Sequence, residues 1–175
     1  MKTALLVIDV QKGVFNKSSK IWQAEELIEN VNRLITWARE NSFPVVFVQH
    51  GNNSFLKKGT DGWQLHPGLK VQNDDIFIDK EHGDAFKQTM LDRNLHDRGI
   101  ERTVICGLVS HGCVRSACLG AHEHGYQVVL VSDVHSSFSK KAADLIIEVN
   151  QELAEQGIAE VTELDMIIQK RKSVS

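Results

Sequence analysis

The stretch Thr103-Val104-Ile105-Cys106-Gly107-Leu108-Val109-Ser110-His111-Gly112-Cys113-Val114-Arg115 decides how the chain folds. Its first half, Thr103–Val109, is an almost unbroken apolar run of strand length, as expected of a strand covered on both faces. A short polar turn follows. Beyond it Val114, Ala117, Cys118 and Ala121 recur at helical spacing as far as Gly125. The same strand-then-helix unit repeats in both directions. Towards the N-terminus, Ala4–Ile8, Val45–Val48 and Ile76–Ile78 read as strands. Between the first two, Leu27, Val31, Leu34, Ile35 and Ala38 mark a helix that Pro44 stops. A second helix spans about Lys87–Arg98 and ends at Gly99. Towards the C-terminus, Gln127–Ser132 and Ile158–Val161 are strands. Between them lies a helix with Ala142, Leu145, Ile146, Val149 and Leu153 on one face, Ser139 as N-cap and Gly157 as stop. Alternation of this kind predicts a three-layer, doubly wound α/β fold. Its mainly parallel sheet has about six strands, with helices on both faces in Rossmann-like fashion.

A chain of 175 residues predicts a single domain over residues 1–175. It is long enough to bury roughly 70% of its unfolded surface without a disulfide or metal staple. Hydrophobic residues make up 42% and charged residues 25%, which excludes disordered, collagen-like and coiled-coil classes. Twenty basic residues against 23 acidic ones give a net charge of −3, so no nucleic-acid partner is expected. The N-terminal apolar run Ala4–Ile8 is too short for a signal-peptide core or a membrane span. Cys106, Cys113 and Cys118 are an odd set without Cys-x-x-Cys spacing. A cytoplasmic protein with reduced thiols and no membrane partner follows as the expectation. The one long irregular stretch, His50–Asp75, is of a length that usually serves function, for instance as a lid.

Ligands of open parallel sheets bind beyond the carboxyl ends of the strands. The reactive residues there are Asp9, His50, Asp79 with Lys80, the group Ser110, His111 and Cys113, and then Asp133 and His135. Cys113 is the sharpest, because it stands between a strand end and a helix start, where the helix favours thiolate. Lowering a thiol pKa from about 8.5 to about 6 needs roughly 3.4 kcal/mol. An exposed helix end supplies about 0.3–1 kcal/mol, so a second charge such as Lys80 is required. The alternative is an inert buried thiol, and that reading is stronger for Cys106 in mid-strand and Cys118 on the apolar helix face. Asp9 either caps a turn or exchanges a proton with the thiol. Lys80 either serves the thiol or is solvated between Asp79 and Glu81.

The segments Ala4-Leu5-Leu6-Val7-Ile8-Asp9-Val10-Gln11, Gly62-Trp63-Gln64-Leu65-His66-Pro67, Lys80 followed by Ala85-Phe86, Gly107 through Arg115, Gly125-Tyr126-Gln127-Val128 and Val131-Ser132-Asp133 stand in this order along the chain. Together they resemble the isochorismatase-like cysteine hydrolases. The resemblance implies a catalytic triad of Asp9, Lys80 and Cys113. It also implies a cis peptide bond between Leu108 and Val109, with an oxyanion hole from the N–H groups of Val109 and Cys113. The implied activity is hydrolysis of a C–N bond in a small amide, ureide or related acyl compound through a thioester. Cys113 speaks against true isochorismatase chemistry, which lacks the cysteine. The metal site of nicotinamidases uses an Asp-x-His segment after the second strand, where this chain reads Gln49-His50-Gly51-Asn52. His50 and His66 alone make a poor site, so no metal and no cofactor are expected. Phe15, Phe55, Trp63 and His111 are possible pocket residues. The expected partner is a small molecule, and the family's habit implies a homo-oligomer. Competing readings are a non-catalytic or a redox-active thiol protein of the same fold. A nucleotide-binding domain is disfavoured by the missing glycine-rich phosphate loop after the first strand.

Overall fold

The computed structural model describes residues 1–170; residues 171–175 of the expected domain lie outside the described residues. Six strands form one sheet: β1 (Thr3–Ile8), β2 (Val45–His50), β3 (Ile76–Lys80), β4 (Arg102–Leu108), β5 (Gln127–Ser136) and β6 (Glu160–Thr162). Their order is β3-β2-β1-β4-β5-β6, and every pairing is parallel. The helices are α1 (Lys12–Phe15), α2 (Ala24–Glu40), α3 (Leu91–Asp97), α4 (Arg115–Glu123), α5 (Ala142–Glu155) and α6 (Leu164–Gln169).

Strand alternation divides the core into two layers. Leu5 and Val7 of β1 point to one face, where Leu27, Val31, Leu34 and Ile35 of α2 and Leu164 and Ile167 of α6 cover them. Ala4, Leu6 and Ile8 point to the other, under Leu91 and Leu95 of α3, Ala117 and Ala121 of α4, and Val149 and Leu153 of α5. All six residues of β1 are buried, as befits the middle of a sheet covered on both sides. The doubly wound, three-layer expectation therefore holds.

Several local expectations need correction. The helix expected from Lys87 begins only at Leu91. Before it, Thr89 Oγ1 donates to the Ala85 carbonyl and accepts the Leu91 N–H, while Gln88 is left-handed at φ 54°. Side-chain hydrogen bonds thus compete with helix over that segment. β5 runs four residues past the expected Ser132, so Asp133 and His135 lie within it rather than after it. Asp133 Oδ1 accepts the Leu164 N–H at 2.8 Å, a structural role at the start of α6. The sequence reading missed α6, whose one and a half turns carry too little periodicity to stand out. Three helix-closing glycines do take the left-handed conformation: Gly99, Gly125 and Gly157, at φ 65°, 86° and 68°.

The sheet reverses its direction of growth between β1 and β4, which opens a crevice at their carboxyl ends. Gly107 makes this junction possible. It pairs with Ile8, has φ 121°, and a Cβ there would stand 2.2 Å from the Ile8 carbonyl oxygen. Gly107→Ala is therefore expected to destabilise the protein by about 3 kcal/mol or more, from overpacking and backbone strain together. Urea unfolding checks this, and a wild-type midpoint would refute it.

Candidate active site

Asp9 is the first residue after β1. It turns out of the strand at φ 51°, its N–H donating to the Val48 carbonyl at 2.9 Å. Gln11, fully buried, fastens this turn. Its amide nitrogen donates to the carbonyls of His50 and Trp63 at 3.0 and 2.8 Å, and its oxygen accepts the His50 N–H at 2.9 Å. β1, β2 and the irregular segment are thereby joined at one point. The sequence names Gln11 only within the segment that carries the resemblance and assigns it no role, although a polar residue just past an apolar central strand is the available signal.

Lys80 ends β3, two strands away from β1, and pairs with His50 in register. Alternation along β3 exposes Asp79 and buries Lys80, whose side chain has 0% exposure. Its long stem carries the ammonium past the end of β2 into the crevice. There Nζ lies 3.2 Å from Asp9 Oδ2, 3.2 Å from Cys113 Sγ, 2.9 Å from His50 Nδ1 and 3.0 Å from the His82 carbonyl oxygen. Asp79 instead pairs with Lys58 at the surface, so solvation among acids is excluded for Lys80. An ammonium only donates, so His50 accepts at Nδ1 and carries its proton on Nε2. Burial and the neighbouring Lys80 charge both push the His50 pKa down, consistent with a neutral ring.

Cys113 sits in a π-helical turn, Ser110–Val114, between β4 and α4. The Leu108–Val109 peptide bond that enters this turn is cis. The Val109 carbonyl accepts the N–H groups of Gly112 and Val114, closing the turn on itself. Asp9, His50 and Cys113 bring a carboxylate oxygen, a ring nitrogen and a sulfur within 4.8 Å of one another. These atoms surround Lys80 Nζ, so a fixed ammonium already holds the position a metal ion would need, and the set does not fit one. His66 is not among these donors: its Nδ1 accepts the Gly68 N–H and its ring packs on Phe15.

The electrostatics correct one expectation. Lys80 does lower the Cys113 pKa, but burial and the Asp9 charge raise it more, pushing the thiol up to about 12. Burial thus works toward the protonated thiol, against the thiolate that the helix start and Lys80 favour. Asp9 moves the same way: burial raises its pKa against the pull of Lys80 and the thiol. Its Oδ1 is buried, with no hydrogen-bond donor against it among the described residues. A carboxylate with raised proton affinity beside a protonated thiol is suited to take that thiol's proton during reaction.

A cleft of about 820 Å³ opens beside this cluster, lined among others by Lys80, Trp63, Asn52, His82 and Gln88. It is within the usual size for a small-molecule site. Trp63 lines it. Phe15 instead packs against His66 and the core, and His111 is exposed on the turn that carries Cys113, so neither forms the cleft wall. Phe55 is 41% exposed and stands under Lys17 elsewhere. Cys106 and Cys118 are fully buried in the core.

A parallel α/β sheet with an acid, an ammonium and a thiol gathered at its reversal point defines the class. Comparison with known proteins makes it specific. The isochorismatase domain matches residues 3–166, and the chain belongs to the isochorismatase family. The uncharacterized isochorismatase family protein YddQ of Bacillus subtilis (strain 168) is 32% identical over 152 residues, 84% of each chain. A streptothricin hydrolase of Streptomyces noursei is 29% identical over 142 residues, 80% of this chain and 51% of that protein. An isochorismatase-like hydrolase from Alkaliphilus metalliredigens superposes with a TM-score of 0.86 at 26% identity, covering 97% of this chain and 99% of the other. Among the described residues, no helix is long and apolar enough to cross a membrane.

The buried thiols give this site and its core a testable pH response. Cys106 and Cys118 are pushed above their ordinary 9.0 by burial, Cys118 to about 12. Above pH 9 the unfolded chain releases these protons while the folded chain keeps them, so stability falls as pH rises. The slope is about 1.4 kcal/mol per pH unit for each such thiol. Urea unfolding under reducing conditions at pH 8 and 10 checks this, and equal stabilities would contradict it. Likewise, alkylation of native Cys113 should keep accelerating from pH 7 to 10, and a plateau below pH 8 would contradict the raised pKa.

Proposed function

We propose that the protein is a cysteine hydrolase that cleaves a C–N bond of a small amide, ureide or related acyl compound. The observation that carries this reading is the buried Lys80 ammonium, 3.2 Å from both the Asp9 carboxylate and the Cys113 sulfur. Family membership and relatives named as hydrolases support it.

In this mechanism Asp9 takes the thiol proton as Cys113 attacks the substrate carbonyl. The raised pKa of the thiol makes proton transfer part of the attack, not a step before it. Lys80 stabilises the charge that passes between carboxylate and sulfur. The N–H groups of Val109 and Cys113 hold the developing oxyanion, each such donor being worth about 2.7–4 kcal/mol. Asp9 then gives its proton to the leaving nitrogen, and a thioester remains on Cys113. Asp9 activates water to hydrolyse the thioester, releasing acid and free thiol. His50 accepts from Lys80 and so helps aim the ammonium. The cleft beside Trp63 receives the rest of the substrate.

A panel of small amides and ureides, assayed for released amine or ammonia, tests the reading. Cys113→Ala should lower turnover by about 10⁴-fold or more, and Asp9→Asn and Lys80→Ala nearly as much. Mass spectrometry of quenched wild-type reactions should show the acyl adduct on Cys113. Turnover that survives in Cys113→Ala would overturn the mechanism.

A further inference from the structure

Cys113 rides on a turn whose first residue, Ser110, is fully buried. Ser110 Oγ lies 2.7 Å from His135 Nδ1. On the other side of the ring, His135 Nε2 lies 2.9 Å from Asn150 Oδ1 of α5. The Asn150 amide nitrogen in turn donates to the Ser132 carbonyl at 3.1 Å. This last acceptor fixes every proton in the chain of bonds. A carbonyl only accepts, so the Asn150 NH₂ faces Ser132 and its oxygen faces His135. That oxygen also only accepts, so His135 carries its proton on Nε2. Burial disfavours a charged ring at this place, which leaves Nδ1 as an acceptor for the Ser110 hydroxyl.

The register of the sheet brings His135 here. Between Ile105 and Gly107 the β4–β5 pairing shifts, so that Ile105 pairs with Leu130 but Gly107 pairs with His135. The irregularity carries β5 up alongside the end of β4, under the nucleophile turn. The far end of that turn is held from the same helix. Arg115, the first residue of α4, sends its Nε to the two carboxylate oxygens of Glu152 at 2.9 and 3.1 Å. Ser110 and Arg115 bracket Cys113, and both are held from α5: Ser110 through His135 to Asn150, Arg115 directly by Glu152. Within the turn Gly112 departs from helical dihedrals, at φ −111° and ψ −111°, and these contacts hold the turn from outside at both ends.

We propose that His135 is a positioning residue: anchored by Asn150, it grips Ser110 and so holds the Cys113 thiol in line with Asp9. This rests on the reading of Cys113 as the nucleophile. A misplacement of about 1 Å can cost on the order of 10²-fold in rate, so a loosened turn should be visible in the chemistry of the thiol itself.

The test uses iodoacetamide on the native protein at pH 8, with peptide mass spectrometry following each cysteine separately. Ser110→Ala removes the hydroxyl that His135 accepts, and Ser110→Thr keeps it. Cys113 alkylation is expected to slow about tenfold in Ser110→Ala and to return within about twofold of wild type in Ser110→Thr. Cys106 and Cys118 should stay protected in both. With an amide substrate in hand, Ser110→Ala should lower kcat with KM little changed. His135→Phe should reproduce the Ser110→Ala result; if it does not fold, the Ser110 pair decides alone. A Cys113 rate at or above wild type in Ser110→Ala overturns the proposal. So does an equal loss in Ser110→Thr, or parallel reaction of all three cysteines, which would mean the network holds the fold and not the nucleophile. Full turnover by Cys113→Ala would instead overturn the nucleophile reading, in a separate assay.

Discussion

A lysine ammonium with no exposure to water is the constraint around which this molecule is arranged. Removing such an ion from water costs several kcal/mol, and only close partners offset it. Lys80 has four: a carboxylate, a thiol, an imidazole nitrogen and a backbone carbonyl. They come from the ends of β1, β2 and β4 and from the segment after β3, so satisfying one charge gathers much of the carboxyl edge of the sheet. Burial explains the directions of the pKa shifts. In a dry site the Lys80 ammonium does not offset the desolvation of either acid, so both the Asp9 carboxyl and the Cys113 thiol are held above their ordinary values.

Geometry at the reversal point of the sheet makes this arrangement available. Gly107 lets β4 lie close against Ile8, and the left-handed Asp9 turns its side chain toward the turn that carries Cys113. Gln11 then locks the end of β1 to His50 and Trp63, which connects the charged cluster to the cleft beside it. Burying a polar amide is tolerated here because both its nitrogen and its oxygen are hydrogen-bonded. Helix α5 supports the other side, through Asn150 and Glu152. The site is thus held by polar contacts whose partners leave few alternatives, set in a core of ordinary apolar packing.

Much of this was legible in the chain. Short apolar runs marked all six strands: β1, β2 and β4 are buried on both faces and so are apolar almost throughout, while the partly exposed β3 and β6 offered shorter runs, and the run Ile158–Val161 overlaps β6 only at its last two residues. Asp9, Lys80 and Cys113 were legible as strand-end residues and through the family resemblance. Other features were not. His135 looked like a loop residue because Ser132 and Asp133 interrupt the apolar pattern, whereas β5 continues past them through the register shift. α3 looked longer than it is because helical spacing does not report the hydrogen bonds of Thr89 and Asp84 with the backbone before it. The thiol looked activated because a helix start and a lysine were visible, while the depth of burial and the Asp9 charge beside it were not.

The sequence by itself determined the layered α/β fold, the parallel sheet and the identity of the reactive residues, since periodicity and residue type are local properties. Only the tertiary structure decided which of those residues meet. Lys80 reaches Asp9 across an intervening strand, His50 joins them while His66 does not, and Ser110 is tied to a helix 40 residues further along the chain. The protonation of the site was decided there too. A pKa depends on desolvation and on charges brought close by distant parts of the chain, and neither is written in any local pattern.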